Sequence, residues 1–560
     1  MSSRNVFSRR AFLRGLGAGV LAASAVVLPG ATLAAAKNPF QHGVASGEPL
    51  SDRVVLWTRV TTEVPGTITV LWEVALDAKF RHVIRRGNVR TGAARDWTVK
   101  VDATGLPAAA KLFYRFRALG QLSPVGRTRT LPVGRVDQIK LAVFSCSNYP
   151  AGYFHVYAEA ARLQDVFASV HLGDYIYEYG RDGYASADAA SLGRLSDPAD
   201  ELLMLEDYRR RYAQYRSDPD LQALHAAMPM IAVWDDHEIS NDTWREGAEN
   251  HDEVSEGLFA ERRASAIRAY HEWLPTRVAE SSSPERIYRS FEFGDLLSLH
   301  MLDTRVIGRD LQLDYANYFG AAGFDTARFT ADIADPDRQL LGTVQQGWLA
   351  RQFAGSNATW DMLGQQVLMG RMNIPAPLVL GQISFSDYSA LLFKAQANPA
   401  ALTPQEQAVL AQPAIPYNLD AWDGYAVARE NVLGTARALD RNLVVLSGDT
   451  HNAWASDLTD YAGNSVGVEF ATPAVSSPGL EEYFPNENPL AVAAGLTQII
   501  GPLKYANTHQ RGFMIVTARH DECRAEWRYV DTVKLPDYAV VEGPTLHTRP
   551  GSGNRRLLSA

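Results

Sequence analysis

The sequence predicts an α/β body preceded by a small all-β domain, and three observations carry that prediction. Residues of about 40–135 hold short β-branched and aromatic runs separated by turn residues. From about residue 138 onward, short apolar runs each end in a polar cluster, and helical stretches lie between them. The composition, 46% hydrophobic and 21% charged over 560 residues, is that of an ordinary globular chain and excludes disorder, collagen and coiled coil.

The first segment stands outside the fold. Ser8-Arg9-Arg10-Ala11-Phe12-Leu13 is a twin-arginine export motif, followed by the apolar run Gly15 to Pro29 and by Ala34-Ala35-Ala36. Charged, then apolar, then small at the cut is the order of a cleavable signal. Gly15, Gly17, Gly19 and Pro29 make the run a poor span, and it falls short of the ~20 firmly apolar residues a membrane helix needs. Residues 1–36 are expected to be a signal peptide read by the twin-arginine translocation machinery. The mature chain would then be periplasmic or secreted, with no membrane span. Losing residues 1–36 removes four arginines and no acids, which takes the formal charge from −9 to −13. That balance argues against a stable nucleic-acid partner, whose phosphates need a basic surface.

The all-β domain, residues 37–135, is read from the runs Val54–Val60, Thr67–Val74, Trp97–Val101 and Phe113–Ala118. Pro65-Gly66, Gly92, Gly105 and Gly120 separate them, a spacing that suits a fibronectin or immunoglobulin type of sandwich. Leu131-Pro132-Val133-Gly134 is the expected linker.

In the body, residues 136–535, five apolar runs are long enough for strands and too short for helices. Leu141–Phe144 leads into Ser145-Cys146-Ser147-Asn148, and Val166–Leu172 into Gly173-Asp174-Tyr175-Ile176-Tyr177. Met230–Val233 leads into Trp234-Asp235-Asp236-His237-Glu238. Leu296–Leu302 leads into Asp303-Thr304-Arg305, and Leu443–Leu446 into Ser447-Gly448-Asp449-Thr450-His451. Helices are predicted over Asp207–Tyr215 and Glu261–Trp273. Thr403-Pro404-Gln405-Glu406 adds the capping-box spacing with proline at the first helical position. Residues 310–345 and about 395–415 read as insertions or lids. Residues 536–560, with the breaker run Pro550-Gly551-Ser552-Gly553, read as a peripheral tail.

Strand C-terminal ends are where α/β sheets gather ligands, and one sheet edge would bring a thiol, carboxylates, a phenol and imidazoles together. Singly each is weak evidence, since an Asp after a buried strand is often a helix cap. His171, His225, His271 and His300 read as core residues. The set carries the argument. Carboxylate and phenolate oxygens are hard donors and a thiolate is soft, so two or three metals sharing Asp174 would use them all. Tyrosinate with thiolate favours a trivalent ion, Fe(III) first; carboxylates with amide oxygens favour Ca²⁺, Mg²⁺ or Mn²⁺. Zinc alone would bring more His and Cys. Metals about 3.5–4 Å apart are the usual clamp for in-line displacement at phosphorus.

These residues resemble a family. Gly173-Asp174-x-x-Tyr177 is similar to the second motif of the metallophosphoesterases as seen in purple acid phosphatases. Asp236-His237-Glu238 sits like that superfamily's Asn-His-Glu, and Gly448-Asp449-Thr450-His451 like its Gly-His-x-His. Cys146 for the first Asp-x-His, Asp236 for Asn and Asp449 for His are the pattern of PhoD-type alkaline phosphatases. Asp207-Tyr208-Arg209-Arg210-Arg211-Tyr212, Trp422-Asp423-Gly424-Tyr425 and Ser476-Ser477-Pro478-Gly479 resemble the same family. The resemblance implies a metallophosphoesterase-like core, a β-sandwich flanked by helices. It implies an Fe(III) site of Cys146, Asp174, Tyr177 and His451. One or two Ca(II) ions would share Asp174 and use Asp236 and Asp449, with Asn241 as a further candidate. Mn or Zn are the alternative ions, and Gln365 or Gln366 is a candidate for the superfamily's missing histidine. The implied activity is release of phosphate from phosphomonoesters, with cleavage of diesters, by a metal-bound hydroxide or oxo group. His237 is expected to donate to the phosphoryl or leaving oxygen, against the plainer role of orienting Asp236. Arg305 is expected to clamp phosphate, against a salt bridge to Asp303 or another acid, with Asn148 and Asn241 as weaker candidates of the same kind.

Two rival readings accompany this one. A phospholipase D-like phosphodiesterase would use the same site on a lipid phosphoester, because the cluster reads only the phosphoryl group. A non-catalytic surface binding protein would have no need of these donors at one edge. No Gly-x-Ser-x-Gly elbow and no Walker A motif are present. Cys146 and Cys523 in an exported chain raise a disulfide; folding in the cytoplasm before export favours Cys146 as a thiolate ligand instead.

Overall fold

The five apolar runs of the body are all strands, but they divide between two sheets. In the computed structural model, which describes residues 38–278, 283–321 and 323–559, Ile139–Phe144, Ala168–His171 and Met230–Ala232 lie parallel in a ten-stranded sheet. Leu297–Met301 and Leu443–Ser447 belong to a seven-stranded sheet, parallel to Trp360–Gly364 between them. The single sheet edge expected from the sequence is thus corrected to two edges that meet. Burial explains the division. Val444 and Leu446 share a core with Val143, Val170 and Ile231 of the other sheet, whereas Leu443 and Val445 pack with Leu349 and Val432. A strand apolar on both faces needs two covers: here one is the opposite sheet, the other the helices Gly342–Gly355 and Ala426–Ala438. The predicted helices are present as Leu205–Arg216 and Phe259–Trp273. Pro404–Leu410 opens on the capping box of Thr403 and Glu406. The expected signal, residues 1–36, lies outside the described residues.

The N-terminal module is all β, with Arg53–Arg59, Ile68–Ala75, Thr98–Thr104 and Lys111–Ala118 at the predicted runs. It is not closed off from the body. Val44–Gly47 pairs in parallel with Met230–Ala232, so Val44–Gly47, Arg53–Arg59 and Thr98–Thr104 complete the ten-stranded sheet. Ile68–Ala75, Val83–Thr91 and Lys111–Ala118 form a separate sheet over them, around Val54, Leu56, Val70 and Phe116. At the joint, a Cβ on Gly47 would lie 2.6 Å from the carbonyl oxygens of Met230 and Pro275, so only glycine admits the approach. Glu48, next in the chain and 2% exposed, pairs with Arg289 at 2.9 Å. Pro39–Ala560 is accordingly one compact unit.

The tail also departs from expectation. Val540–Thr548 pairs with Cys523–Val530, and Leu558–Ser559 adds the last edge. Pro550–Gly553 is the turn of this hairpin rather than the end of the fold. Val540–Thr548 buries few residues, so its apolar alternation is weak in the sequence. Among the described residues no helix is long and apolar enough to cross a membrane.

The histidines inside this core make a testable prediction. His171 and His225 are buried, each with Nε2 2.8 Å from a tyrosine hydroxyl, Tyr157 and Tyr175 respectively. Burial holds His171 down at about 3 and His225 well below its ordinary value. The unfolded chain therefore takes up protons at these sites first as pH falls through ~6.5. Stability is unaffected above that pH and drops below it, by about 1.4 kcal/mol per pH unit for each histidine. Urea unfolding at pH 7 and pH 5 checks this: His171→Gln is expected to flatten the slope, and an unchanged slope would refute it.

Candidate metal centre

The loops after the two parallel strand sets meet, and the backbone pays for their shape in torsion angles. Cys146 (φ 60°), Asp174 (φ 56°), Asp449 (φ 64°) and His451 (φ 63°) all adopt the left-handed region, which non-glycine residues rarely occupy. Each costs on the order of 1–3 kcal/mol and persists where surrounding structure over-determines it. Cys146 N–H donates to Gly173 O, and the carbonyl of Cys146 accepts from Ser476 and Ser477 N–H. Glu238 fixes a third loop by accepting from the N–H groups of Asp174 (3.0 Å), Tyr175 (2.6 Å) and Asp235 (2.7 Å).

Three groups of donor atoms result, each with its members within 4.8 Å of one another: Cys146, Asp174 and His451; Asp174, Asp236 and His237; Asp235, Asp236 and Asp449. Asp174 belongs to two groups and so does Asp236. Tyr177 joins the first group, with Oη donating to Asp174 Oδ2 at 3.0 Å and lying 3.2 Å from His451 Nε2. Ser477 Oγ donates to the same phenol oxygen at 2.7 Å. His451 Nδ1 lies 2.7 Å from Pro478 O, so Nδ1 carries the proton and Nε2 offers its lone pair to the cluster.

The electrostatics fit a bound cation. Asp174 Oδ1 and Asp235 Oδ2 are buried with no hydrogen-bond partner. Burial first, then the neighbouring carboxylates, pushes Asp174 and Asp449 well above the usual carboxylate range. Burial and Asp174 likewise push the Cys146 thiol up. A bound cation would favour the charged form of all these groups together. The set of one thiol, one phenol, one imidazole and shared carboxylates suits more than one ion. Cys146 and Cys523 are both free.

His237 sits at the edge of this set. Its Nδ1 lies 2.8 Å from Glu178 Oε2, and its ring stacks on Tyr177 at 4.2 Å. Glu178 is fully buried and accepts from Asn241 N–H at 2.7 Å through its other oxygen. Burial opposes charge on His237, but Asp236, Glu178 and Asp174 outweigh it and hold the imidazole protonated well above its ordinary range.

Three expectations are corrected here. Arg305 is fully buried, with Nε 2.5 Å from Asp235, one terminal nitrogen 2.7 Å from Asp420 and the other 3.1 Å from Asp449. Its fork is enclosed by carboxylates, so it braces the acids and has no face left for phosphate; Asp303 instead accepts the backbone N–H groups of Arg305 and Val306. Asn241 turns its side chain to Glu249 at 2.7 Å, away from the donors. Gln365 accepts from Trp422 Nε1 at 3.0 Å, and Gln366 donates to Trp234 O at 2.6 Å and accepts from Thr304. Neither glutamine replaces a histidine.

Sequence reasoning missed Glu178, Asp242, Asp420 and Tyr184. Asp242 N–H donates to Asp236 Oδ2 at 2.7 Å, and burial with Asp420 and Asp236 pushes the Asp242 carboxyl up to about 8. Asp420 stands two residues before Trp422-Asp423-Gly424-Tyr425, and Arg305 and Arg309 both donate to it. Asp423, inside the motif, accepts from Met372 N–H instead. Tyr184 Oη lies 3.2 Å from His451 Nδ1. The available signals were position alone: Glu178 follows Tyr177 directly, and Asp242 follows Asn241.

Comparison with known proteins gives the family. The model of the PhoD-like phosphatase family matches residues 141–527, and that of the PhoD-like phosphatase N-terminal domain matches residues 22–132. Alkaline phosphatase D of Bacillus subtilis (strain 168) is 35% identical over 591 residues, spanning 99% of this chain and 90% of that protein. A solved structure of PhoD superposes with a TM-score of 0.76 at 31% identity, covering 94% of this chain and 93% of that one. These likenesses favour a phosphatase over a phospholipase D-like enzyme or a binding protein. The chain belongs to the PhoD-like phosphatase family and is a hydrolase of phosphoric esters.

Proposed function

We propose that this is an exported, metal-dependent alkaline phosphatase that releases phosphate from monoesters and also cleaves diesters. The observation that carries it is the convergence of Cys146, Asp174, Tyr177 and His451 with Asp236 and Asp449 through shared carboxylates. Cys146, Asp174, Tyr177 and His451 would hold Fe(III), and Asp174, Asp236 and Asp449 would hold Ca(II); Mn or Zn are the alternatives. When bound, such ions activate the nucleophile and neutralise charge on the phosphoryl oxygens. The two facing sheets are consistent with a metallophosphoesterase-like core over residues 136–535, and the N-terminal module, 37–135, with an immunoglobulin-like one. Ser8-Arg9-Arg10 supports twin-arginine export to the periplasm or beyond, with removal of residues 1–36.

The remaining chemistry belongs to the chain. His237, held by Glu178, keeps one imidazole nitrogen toward Asp174 and Asp236 and delivers its proton to the departing oxygen. Glu178 sets the ring's orientation and stabilises its charge. Ser477 ties the carbonyl of Cys146 and the phenol of Tyr177 together, and Arg211 braces the Tyr177 segment by donating to the carbonyls of Tyr177 and Tyr179.

Elemental analysis of chelator-free protein, paired with hydrolysis of p-nitrophenyl phosphate and bis-p-nitrophenyl phosphate, tests this reading. Iron with one or more calcium per chain and turnover of both esters are expected. Zinc or manganese without iron would overturn the roles of Cys146 and Tyr177. The proton-donor role has its own test in the leaving group. His237→Asn is expected to cost roughly 10²–10⁴-fold in kcat on alkyl phosphates and much less on p-nitrophenyl phosphate, whose leaving group needs no proton. Glu178→Gln should follow the same pattern more weakly. An equal loss on both substrates would leave His237 a merely structural group.

A further inference from the structure

The charge of this chain is divided in a way that the total conceals. Residues 39–135 hold 15 Lys and Arg against 7 Asp and Glu, a balance of +8. Residues 136–560 hold 34 against 56, a balance of −22. The excess of cations in the module is also concentrated on one surface. Side chains alternate across a strand, and residues opposite each other in an antiparallel pair share a face. In the outer sheet, Glu73 faces Arg86 and Arg115, Thr69 faces Arg90, and Leu71 faces Arg117. Lys111 faces Arg129, and Phe113 faces Arg127. One sheet face thus carries seven cations and a single acid, Glu73, which Arg115 engages at 2.8 Å.

The side chains of Arg86, Lys111 and Arg117 on this face are exposed and make no hydrogen bond or ion pair among the described residues. Arg127 donates to Gln164 at 2.7 Å and Arg129 more weakly to the carbonyl of Gln164; neither is held in an ion pair, although the charge of Asp165 reaches Arg129. Two clefts open along the face. One, about 340 Å³, is bounded by Leu71, Arg86, Arg115 and Arg117; the other, about 170 Å³, by Lys111, Arg127 and Arg129. The cations of each cleft come from different strands of the one sheet. Along each strand they stand in rows, with same-face residues ~7 Å apart.

We propose that this outer sheet face is a docking surface for a linear polyanion, a chain whose negative charges recur along its length. Such a chain neutralises several arginines at once and gains from the counterions it releases, whereas orthophosphate meets one or two. Leu71 and Leu122, exposed apolar residues of this face, lie in the wall of a cleft between arginines, while Leu119 stands at the neighbouring turn; a lipid surface is the alternative that the vesicle arm of the test below decides. The proposal stands apart from the hydrolase reading, since it concerns binding only.

Affinity of the full-length chain for long-chain inorganic polyphosphate and for heparin, a sulfated chain with no phosphoester to cleave, tests it across a salt series. Binding of both polymers is expected despite the net negative charge, with log affinity falling against log salt at a slope of roughly three or more. The triple variant Arg86→Glu, Lys111→Glu, Arg117→Glu is expected to bind at least tenfold more weakly. Its kcat/KM on p-nitrophenyl phosphate should stay within about twofold, which certifies the fold. Should the triple variant not fold, the neutral pair Arg86→Gln, Arg117→Gln is expected to show a smaller loss of the same kind. Equal polymer binding by wild type and a folded variant would overturn the proposal. So would sedimentation with phosphatidylglycerol vesicles while both soluble polymers leave the protein free.

Discussion

Asp174→Asn is expected to remove activity and metal together. Asp174 is the carboxylate common to the thiol–imidazole group and to the Asp236–His237 group. The amide keeps the size and can still accept from Tyr177 Oη, so the loop need not collapse. What it loses is the charge that ties two donor groups to one ion pair. A drop in kcat/KM of at least about 10³-fold is expected, equivalent to ~4 kcal/mol of transition-state stabilisation. Metal content per chain, measured by elemental analysis, should fall in parallel. Full metal loading with the same activity loss would mean that Asp174 acts on the substrate and not through an ion. An active, loaded variant would remove it from the site altogether.

Arg305→Met is expected to produce the largest loss of stability at any single position near the site, and its size depends on what else is bound. The guanidinium lies with no exposed surface among Asp235, Asp420 and Asp449, and 3.8 Å from Asp236. Removing one partner of such a buried cluster leaves uncompensated charge and costs about 3–5 kcal/mol. Chelator-treated protein should show that loss in urea unfolding, whereas protein with added calcium should show less, because Asp236 and Asp449 then face another cation. Arg305→Lys should recover only part, since a point charge cannot reach three carboxylates as a planar fork does. If Arg305→Met were instead fully stable with a raised KM for phosphate esters, the phosphate clamp would be the better account of this residue.

That residue also shows where sequence reading stops. The five apolar runs and the donors at their ends were legible, because a strand buried on both faces writes a continuous apolar signal and the donors follow directly on it. Which side chains face inward was not. Arg305 looked like a phosphate ligand because residue type and strand-end position were all the sequence offered; the three acids around it come from loops at positions 235, 420 and 449. Asn241 failed for the same reason in reverse: its neighbour Asp242, in left-handed backbone at φ 52°, takes the inward place. Ser476-Ser477-Pro478-Gly479 was visible as a motif, but its work was not: Pro478 O fixes the proton on His451, and Ser477 holds Tyr177. The module was read as a bead on a linker because Val44–Gly47 is too short a run to announce a strand, and its partner lies far along the chain at Met230.

That one short strand decides how the chain can be divided. Cut near residue 135, the body would lose the strand that covers Met230–Ala232, and the open edge would sit beside the Asp235–Glu238 loop with its backbone groups unpaired. Exposed edges of this kind recruit other strands and drive aggregation. The border between the two parts in sequence is therefore not a border in the fold: neither half can be exchanged without rebuilding the sheet they share, and the hydrolytic half cut out alone would carry an open edge.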